Sequence, residues 1–154
     1  MKKIVVLSDT HGNVSAIKKL AEIIKESDYV FHLGDYSSDI ELFRREFGDK
    51  LYSVKGNCDG GGKETILEIE GIKTILVHGD AYSVKLGLSK LCKHALDEGA
   101  GLVFYGHTHV ANIENRAGVT MINPGCMTKH GEKTYCYTVI HNGKITAKIV
   151  PIGF

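Results

Sequence analysis

The sequence has no long hydrophobic run, and this absence argues against a membrane-spanning helix. Its longest apolar stretches, residues 4–7 and 102–105, are much shorter than the roughly 20 residues that cross a bilayer. The apolar stretch near the N-terminus is also too short for a secretory signal, and no small-residue cleavage site follows it. We therefore expect a cytoplasmic protein without a membrane partner.

Paired cysteines and an excess of one charge are also lacking. The chain has no C-x-x-C pair, so neither a structural zinc site nor a redox motif is indicated, and we expect reduced thiols. The formal net charge is +1, and no run of Lys or Arg exceeds two residues. A nucleic-acid-binding surface is therefore not indicated, and any anion must be bound by a local site.

Domain boundaries are not visible either. The chain has only two prolines, and it shows no Pro-rich linker, internal repeat or low-complexity tract. Its 154 residues, of which 43% are hydrophobic, suffice for one buried core. We predict a single domain over residues 1–154.

Short apolar runs alternate with helical patterns in the first half of the chain. Six runs predict buried strands: residues 3–7, 29–33, 51–54, 74–77, 102–105 and 120–122. Three segments predict helices: residues 14–26, with Asn13 as N-cap, 39–47 and 84–98. Alternating strands and helices indicate right-handed βαβ units.

Two further patterns predict antiparallel hairpins. Residues 64–72 alternate and turn at Glu70-Gly71, and residues 135–150 turn around His141-Asn142-Gly143. Together these patterns predict an α/β fold with two packed mixed β-sheets flanked by helices, a four-layer α-β-β-α sandwich. The C-terminal hairpin offers hydrophobic surface for a homo-oligomer, but no periodic signal identifies an interface.

Polar residues with metal-binding side chains follow the predicted strands. They are Asp9-Thr10-His11, Gly34-Asp35, Gly56-Asn57-Cys58-Asp59, His78-Gly79-Asp80 and Gly106-His107-Thr108-His109. Strands that point the same way bring such residues together at their carboxyl ends. Carboxylate, amide and imidazole donors suit manganese, iron, zinc or nickel, and the thiolates of a closed structural zinc site are missing. The set therefore indicates a catalytic metal site.

The order D-x-H, G-D, G-N-x-D, H-G, G-H-x-H resembles the calcineurin-like metallophosphoesterase family over residues 9–125. With Asn123-Pro124-Gly125, the chain is similar to the compact bacterial and archaeal phosphodiesterase branch, which is related to the retromer subunit of that fold. One such motif would be weak evidence, but five in order, each after a strand, are specific.

The resemblance implies two divalent ions, with Mn²⁺ preferred and Ni²⁺, Fe²⁺ or Zn²⁺ as alternatives. One ion would be held by Asp9, His11, Asp35 and His109. The other would be held by Asp35, Asn57, His78 and His107, so that Asp35 bridges the pair. The catalytic residues would be Asp35, Asn57 and His78. A hydroxide between the ions would attack phosphorus in line, and the net positive charge would stabilise the transition state.

Two cysteines depart from the family pattern. Larger family members carry a histidine after the G-N pair as the acid for the leaving group, whereas this chain has Cys58. A neutral thiol, with a reference pKa of about 8.5, is not a clear replacement. We therefore expect fast release of aryl alcohols and slow release of alkyl alcohols. Cys126 stands where serine is often found, and we assign it no function.

Each of these motifs also has a purely structural interpretation. Asp9, Asn57 and Asp59 could shape turns, and His107 and His109 could belong to a polar loop, but their joint occurrence favours a metal site. For Asp80 and Asn13 we favour helix N-caps. Packing is favoured over a substrate pocket for Tyr36, Tyr82 and Tyr105. The histidines left outside the site are His32, His94, His130 and His141.

Three functions remain in consideration. The leading one is hydrolysis of small phosphodiesters, with phosphomonoesters as weaker substrates. A non-catalytic protein-binding scaffold is the second, but a scaffold has no reason to retain every metal donor. The third is a phosphatase with an aspartyl-phosphate intermediate at Asp9, which usually requires an Asp two residues later, where this chain has His11.

Overall fold

The structure is a computed structural model that describes residues 1–60 and 64–153. The strands within these residues are β1 (Lys2–Leu7), β2 (Tyr29–His32), β3 (Leu51–Ser53), β4 (Thr65–Ile69), β5 (Ile72–Leu76), β6 (Leu102–Phe104), β7 (Asn112–Arg116), β8 (Val119–Asn123), β9 (Thr134–His141) and β10 (Lys144–Pro151). The α-helices are α1 (Val14–Lys19), α2 (Ala21–Lys25), α3 (Ser38–Glu41), α4 (Arg44–Phe47) and α5 (Ser89–Glu98).

The strands form two mixed five-stranded sheets. The first has the order β10-β9-β1-β2-β3, in which β1, β2 and β3 are parallel and β9 runs antiparallel to both β1 and β10. The second has the order β4-β5-β6-β8-β7, with β5, β6 and β8 parallel and antiparallel strands at both edges. Both predicted hairpins, β4-β5 and β9-β10, are confirmed.

Side chains on the two faces of β1 enter different cores. Val5 and Leu7 pack in a cluster with residues of the N-terminal helices, whereas Ile4 and Val6 pack in the cluster between the sheets. Within the inter-sheet cluster, the rings of Phe31 and Phe104 meet edge to face with their centroids 5.7 Å apart. A third cluster lies between the second sheet and α5. The predicted four-layer α-β-β-α sandwich is confirmed.

The prediction of three continuous helices is wrong, because each of the three segments is interrupted in the structure. Residues 14–26 form α1 and α2, separated at Leu20, whose N–H bonds to the Ile17 carbonyl in a tightened turn. Residues 39–47 are likewise divided, because the Phe43 N–H bonds to the Ile40 carbonyl. Residues 84–98 begin as a 3₁₀ turn (Val84–Leu86), and Gly87, with φ of 133°, ends it before α5.

Strand β7 was missed by the sequence analysis. Four of its five residues are polar and none is fully buried, because β7 is an edge strand that pairs with β8 across a turn at Ala117-Gly118. The turn predicted around His141-Asn142-Gly143 is shorter in the structure, because His141 is the last residue of β9. Among the described residues, no helix is long and apolar enough to span a membrane.

Candidate metal centre

The loops that follow β1, β2, β3, β5 and β6 meet at one edge of the sandwich. This convergence follows from the parallel pairing of β1, β2 and β3 in one sheet and of β5 and β6 in the other. The structure places all seven residues of the predicted metal set in these loops: Asp9, His11, Asp35, Asn57, His78, His107 and His109.

The first group of donor atoms comes from Asp9, His11, Asp35 and His109, one atom from each, all within 4.8 Å of one another. Nε2 of His109 lies 3.2 Å from Oδ1 of Asp9, and Nε2 of His11 lies 3.7 Å from Oδ2 of Asp35. Asp9 Oδ1 and His11 Nε2 are buried and have no hydrogen-bond partner in the described structure. A buried polar atom without a partner lowers the stability of the fold by about 1–3 kcal/mol. A cation bound among these atoms would serve as their partner, so the group fits a cation.

The second group surrounds His78 Nε2. This atom lies 3.4 Å from Asp35 Oδ2, 3.0 Å from Asn57 Oδ1 and 3.1 Å from His107 Nδ1. The opposite ring nitrogen, Nδ1, donates a hydrogen bond to the Leu33 carbonyl at 2.7 Å. The ring proton is therefore on Nδ1, and the lone pair of Nε2 points to the same place as the metal-binding atoms of Asp35, Asn57 and His107. Electron-rich atoms that converge in this way also fit a divalent cation. Asp35 contributes to both groups.

Local electrostatics suit cation binding. Burial raises the pKa of Asp35, but the Cys58 N–H at 2.9 Å and the nearby His78 together outweigh it and hold the pKa below its usual range. Burial, aided by His78, lowers the pKa of His107. Burial raises the pKa of Asp9, which the Ser8 hydroxyl offsets in part. At neutral pH Asp35 is therefore ionised and His107 is neutral, the forms that ligate metals.

Left-handed backbone conformations are concentrated in the loops of this site. Such φ values cost about 1–3 kcal/mol for non-glycine residues and persist only where the surroundings hold them. The residues concerned, with φ between 43° and 69°, are Asp9, His11, Asp35, Tyr36, His107 and His109. The loops that carry the donor atoms are therefore held in place by contacts outside those atoms.

Gly34 and Gly56 allow two of these loops to touch. A Cβ atom on Gly56 would lie 2.3 Å from Asp35 Oδ1, and one on Gly34 would lie 2.6 Å from the Gly56 nitrogen. No side chain fits at either position without moving Asp35 or the neighbouring backbone.

Asp59 joins the same two loops. Its Oδ1 accepts from the N–H groups of Tyr36 at 2.9 Å and Ser37 at 3.2 Å, and its Oδ2 accepts from the Gly56 N–H at 3.0 Å. The loop-shaping interpretation therefore describes Asp59, whereas the Asn57 side chain faces His78. The G-N-x-D spacing was the available signal for Asp59, but only the fold shows which loop it reaches.

Asn123 supports the His107 to His109 loop, a role that the sequence analysis missed. Its Nδ2 donates to the Gly106 carbonyl at 3.2 Å and to Thr108 Oγ1 at 2.9 Å. His32 lies in β2 as expected and outside both donor groups. It is buried behind the loop that carries Asp9 and His11, and its Nε2 is 3.0 Å from Thr10 Oγ1.

Of the two predicted helix N-caps, Asn13 and Asp80, one is confirmed and the other is wrong. Asn13 is confirmed as the N-cap of α1, because its Oδ1 accepts from the Ala16 N–H at 3.3 Å. The prediction for Asp80 is wrong: Gly79 is the N-cap of the 3₁₀ turn Asp80–Tyr82, and no side chain caps it. Asp80 is the first residue inside the turn because Gly79 supplies the left-handed φ of 109° that precedes it.

The three tyrosines differ in their contacts. Tyr105 is buried and its hydroxyl accepts from Asn112, while Tyr82 stacks on His94 at a centroid distance of 4.8 Å. Tyr36 is 42% exposed, and its ring centroid lies 5.0 Å from that of His11. Tyr36 therefore borders the candidate metal centre, whereas the other two pack against neighbouring side chains.

The surroundings of the centre include an exposed thiol and a cavity. Partial burial, together with the negative charge of Asp35, raises the pKa of the exposed Cys58 thiol, which is therefore protonated at neutral pH.

A cavity of about 370 Å³ adjoins His109. It is lined by His109, Val110, Ala111, Glu132, Thr134 and Ile149.

Comparisons with known proteins identify the family of this chain. The model of the calcineurin-like phosphoesterase superfamily domain matches residues 1–144. A probable metallophosphoesterase of Bacillus subtilis is 35% identical over 126 residues, which are 79% of this chain and 73% of that protein. A phosphodiesterase of Methanocaldococcus jannaschii is 31% identical over 145 residues, 80% of this chain and 82% of that protein.

A solved structure from Streptococcus pneumoniae, described as a predicted phosphoesterase, aligns with a TM-score of 0.81 and 26% identity. The alignment covers 97% of this chain and 89% of that one. The resemblance inferred from the motifs is therefore confirmed. The chain belongs to the calcineurin-like phosphoesterase superfamily, whose members use divalent metals to hydrolyse phosphate esters.

Proposed function

We propose that this protein is a phosphodiesterase with two divalent metal ions, for which the donor set favours Mn²⁺. The observation that carries the proposal is the position of Asp35. Its Oδ2 lies 3.7 Å from His11 Nε2 on one side and 3.4 Å from His78 Nε2 on the other. One carboxylate thus faces both groups of donors, as a bridging ligand would.

Seven residues would hold the ions. Asp9, His11 and His109 complete one position, Asn57, His78 and His107 complete the other, and Asp35 is shared. When bound, two divalent ions would supply a water-derived hydroxide as nucleophile and would offset the negative charge on the phosphoryl oxygens. Manganese suits these donors, because oxygen and imidazole ligands predominate and no thiolate takes part.

The residues assigned to catalysis have distinct tasks. Asp35 keeps its negative charge because its pKa is held below the usual range, so it can face two cations at once. The proton on His78 Nδ1 is committed to the Leu33 carbonyl, which fixes the ring and directs Nε2 to the centre. Asn57 presents its amide oxygen beside His78 without adding charge.

Preference for diesters is supported by the cavity next to His109. Its volume of about 370 Å³ offers room for a second ester group beside the phosphorus. The Glu132 carboxylate on its wall disfavours an additional negative charge, and a monoester at neutral pH carries more negative charge than a diester. The related archaeal protein is itself described as a phosphodiesterase.

The alternatives have less support. Asp9 is fully buried, and its Oδ2 accepts from Ser8 and from the His107 N–H, so it is poorly exposed for phosphorylation. A non-catalytic scaffold would not need buried donor atoms left without partners, such as Asp9 Oδ1 and His11 Nε2. A cytoplasmic location remains part of the proposal, supported by four unpaired cysteines.

The test is hydrolysis of bis(p-nitrophenyl) phosphate by metal-stripped protein, with and without added Mn²⁺. We expect Mn²⁺-dependent turnover that falls by more than about 100-fold in Asp35→Asn, because this variant changes a ligand of both positions rather than an outer contact. Asp97→Asn is the matched control, since Asp97 is an exposed partner of Lys93 on α5. Absence of turnover with any divalent metal would favour the scaffold.

A further inference from the structure

A buried hydrogen-bond network lies behind the loop that carries Asp9 and His11. It consists of Thr10 from that loop, His32 from β2 and Asp39 from α3. Thr10 and His32 have no exposed surface, and Asp39 is 7% exposed. None of these side chains belongs to the donor set, so their buried polar groups need another explanation.

The directions of the hydrogen bonds can be assigned from the geometry. The Gly34 N–H donates to His32 Nδ1 at 3.1 Å, so the ring proton is on Nε2. Nε2 therefore donates to Thr10 Oγ1 at 3.0 Å. The Thr10 hydroxyl in turn donates to Asp39 Oδ2 at 2.7 Å. Every polar hydrogen in this chain of contacts has an acceptor.

Asp39 accepts hydrogen bonds from the residues on both sides of His11. Besides the Thr10 hydroxyl, its Oδ2 accepts from the Gly12 N–H at 2.7 Å. His11 lies between these two contacts with a left-handed φ of 43°. Hydrogen bonds to a carboxylate are stronger than neutral ones, so Asp39 is well suited to maintain this unfavourable backbone conformation.

The network contacts the loop that carries Asp9 and His11, and it also reaches the backbone on either side of Asp35, at the Gly34 N–H and, at 3.3 Å, the Tyr36 carbonyl. Among the described residues, no hydrogen bond joins its three side chains to those of the second donor group, Asn57, His78 and His107. His78 is oriented instead by the Leu33 carbonyl. Loss of the Thr10 hydroxyl should therefore disturb Asp9 and His11 more than the second group.

We propose that Thr10, held by His32 and Asp39, is a positioning residue that sets the divalent-cation affinity of the Asp9, His11, Asp35 and His109 position separately from the other position. The inference rests on the proposed two-metal centre. Contacts that orient ligands change metal affinity by about 10- to 100-fold when removed. The same range is expected for loss of the Thr10 hydroxyl.

The experiment is calorimetric titration of metal-stripped protein with Mn²⁺ alone. Thr10→Val removes the hydroxyl but keeps the branched shape, and Thr10→Ser keeps the hydroxyl. His11→Ala and His107→Ala identify which binding step belongs to which position. We expect Thr10→Val to weaken the step lost in His11→Ala by about 10- to 100-fold and to leave the step lost in His107→Ala within about threefold.

Two controls separate positioning from general destabilisation. Thr74→Val removes a fully buried hydroxyl in the other sheet, where Thr74 donates to the Ile72 carbonyl, and should leave both affinities unchanged. Thr10→Ser should retain near-normal affinities for both steps. Asp39→Asn provides a second route to the same selective loss if Thr10→Val does not fold, which thermal unfolding in chelator would reveal.

The possible outcomes distinguish this inference from the proposed function. Two normal binding steps in Thr10→Val, or two steps weakened equally, would overturn the positioning role while leaving the two-metal centre intact. No Mn²⁺ binding by the wild-type protein would overturn both. Selective weakening restored by Thr10→Ser would support the inference.

Discussion

Nε2 of His109 lies 3.2 Å from Oδ1 of Asp9, although the two residues follow strands of different sheets. Asp9 comes after β1 in the first sheet, and His109 comes after β6 in the second. The candidate metal centre therefore spans both sheets at their shared edge. Its geometry depends on how the sheets pack, which links the inter-sheet core to the site.

Acid should destabilise the metal-free protein partly through His32. Burial lowers the pKa of His32 to about 4, whereas an unfolded chain has the usual value near 6.5. Between these values the unfolded state binds more protons, so this stabilisation is complete above pH 6.5 and is lost as the pH falls towards 4. The shift corresponds to about 3 kcal/mol. Urea unfolding in chelator at pH 7 and pH 4.5 measures the loss.

Comparison with His32→Gln isolates this contribution from that of the carboxylates. The variant should be less stable at pH 7 but should lose less additional stability on acidification. His141→Gln, at the exposed end of β9, is the matched control and should follow the wild type. An unchanged pH dependence in His32→Gln would contradict the assignment.

Gly56→Ala should disrupt the site through Asp35. The added Cβ would lie 2.3 Å from Asp35 Oδ1, so the carboxylate or the loop must move. We expect loss of stability of about 1–3 kcal/mol, as for other overpacked positions, together with weaker Mn²⁺ binding. Gly153→Ala, where the added Cβ meets no atom within 4 Å, is the control. Normal Mn²⁺ affinity in Gly56→Ala would show that Asp35 does not need its present position.

Leaving-group acidity should control the rate of the wild-type enzyme. Cys58 occupies the expected acid position, but its raised pKa makes the thiol a weak proton donor. Aryl diesters should therefore be hydrolysed faster than alkyl diesters, as a plot of kcat/KM against leaving-group pKa would show. A flat dependence would defeat this prediction.

Replacing the thiol with an imidazole provides the complementary experiment. Cys58→His should accelerate alkyl diesters by up to about 100-fold and change aryl diesters little, because only poor leaving groups need a proton donor. Cys58→Ser is the matched variant, with a hydroxyl that is no better a donor, and should retain the wild-type dependence.

Glu132→Gln should reduce the preference for diesters over monoesters. Glu132 is an exposed residue that lines the cavity beside His109, and two unit charges about 4 Å apart interact by about 1 kcal/mol when they are screened as in bulk water. The ratio of kcat/KM for p-nitrophenyl phosphate to that for its diester should therefore rise about fivefold. Glu68→Gln, on the exposed face of β4, should leave the ratio unchanged. An unaltered ratio in Glu132→Gln would exclude this charge as a source of selectivity.

Strand positions and sheet class were predictable from the sequence because they depend on local patterns. Alternation and β-branched runs identified most strands, and the Asn142-Gly143 turn identified the last hairpin. Strand β7 was not predicted, because an edge strand with solvent on one side carries mostly polar residues and lacks an apolar run. The helices were predicted too long, because the spacing of apolar residues gives no sign of the tightened turns at Leu20 and Phe43.

By itself, the sequence determined the fold class, the family and which residues carry metal-binding groups, since each is encoded in short motifs or in periodicity. Only the tertiary structure decided how these groups are supported. Asp59 and Asn123 each support a loop that carries candidate donor atoms, and Thr10 contacts His32 and Asp39. These contacts join residues far apart in the chain, so their partners are set by how the strands are ordered and the sheets packed, which no local pattern records.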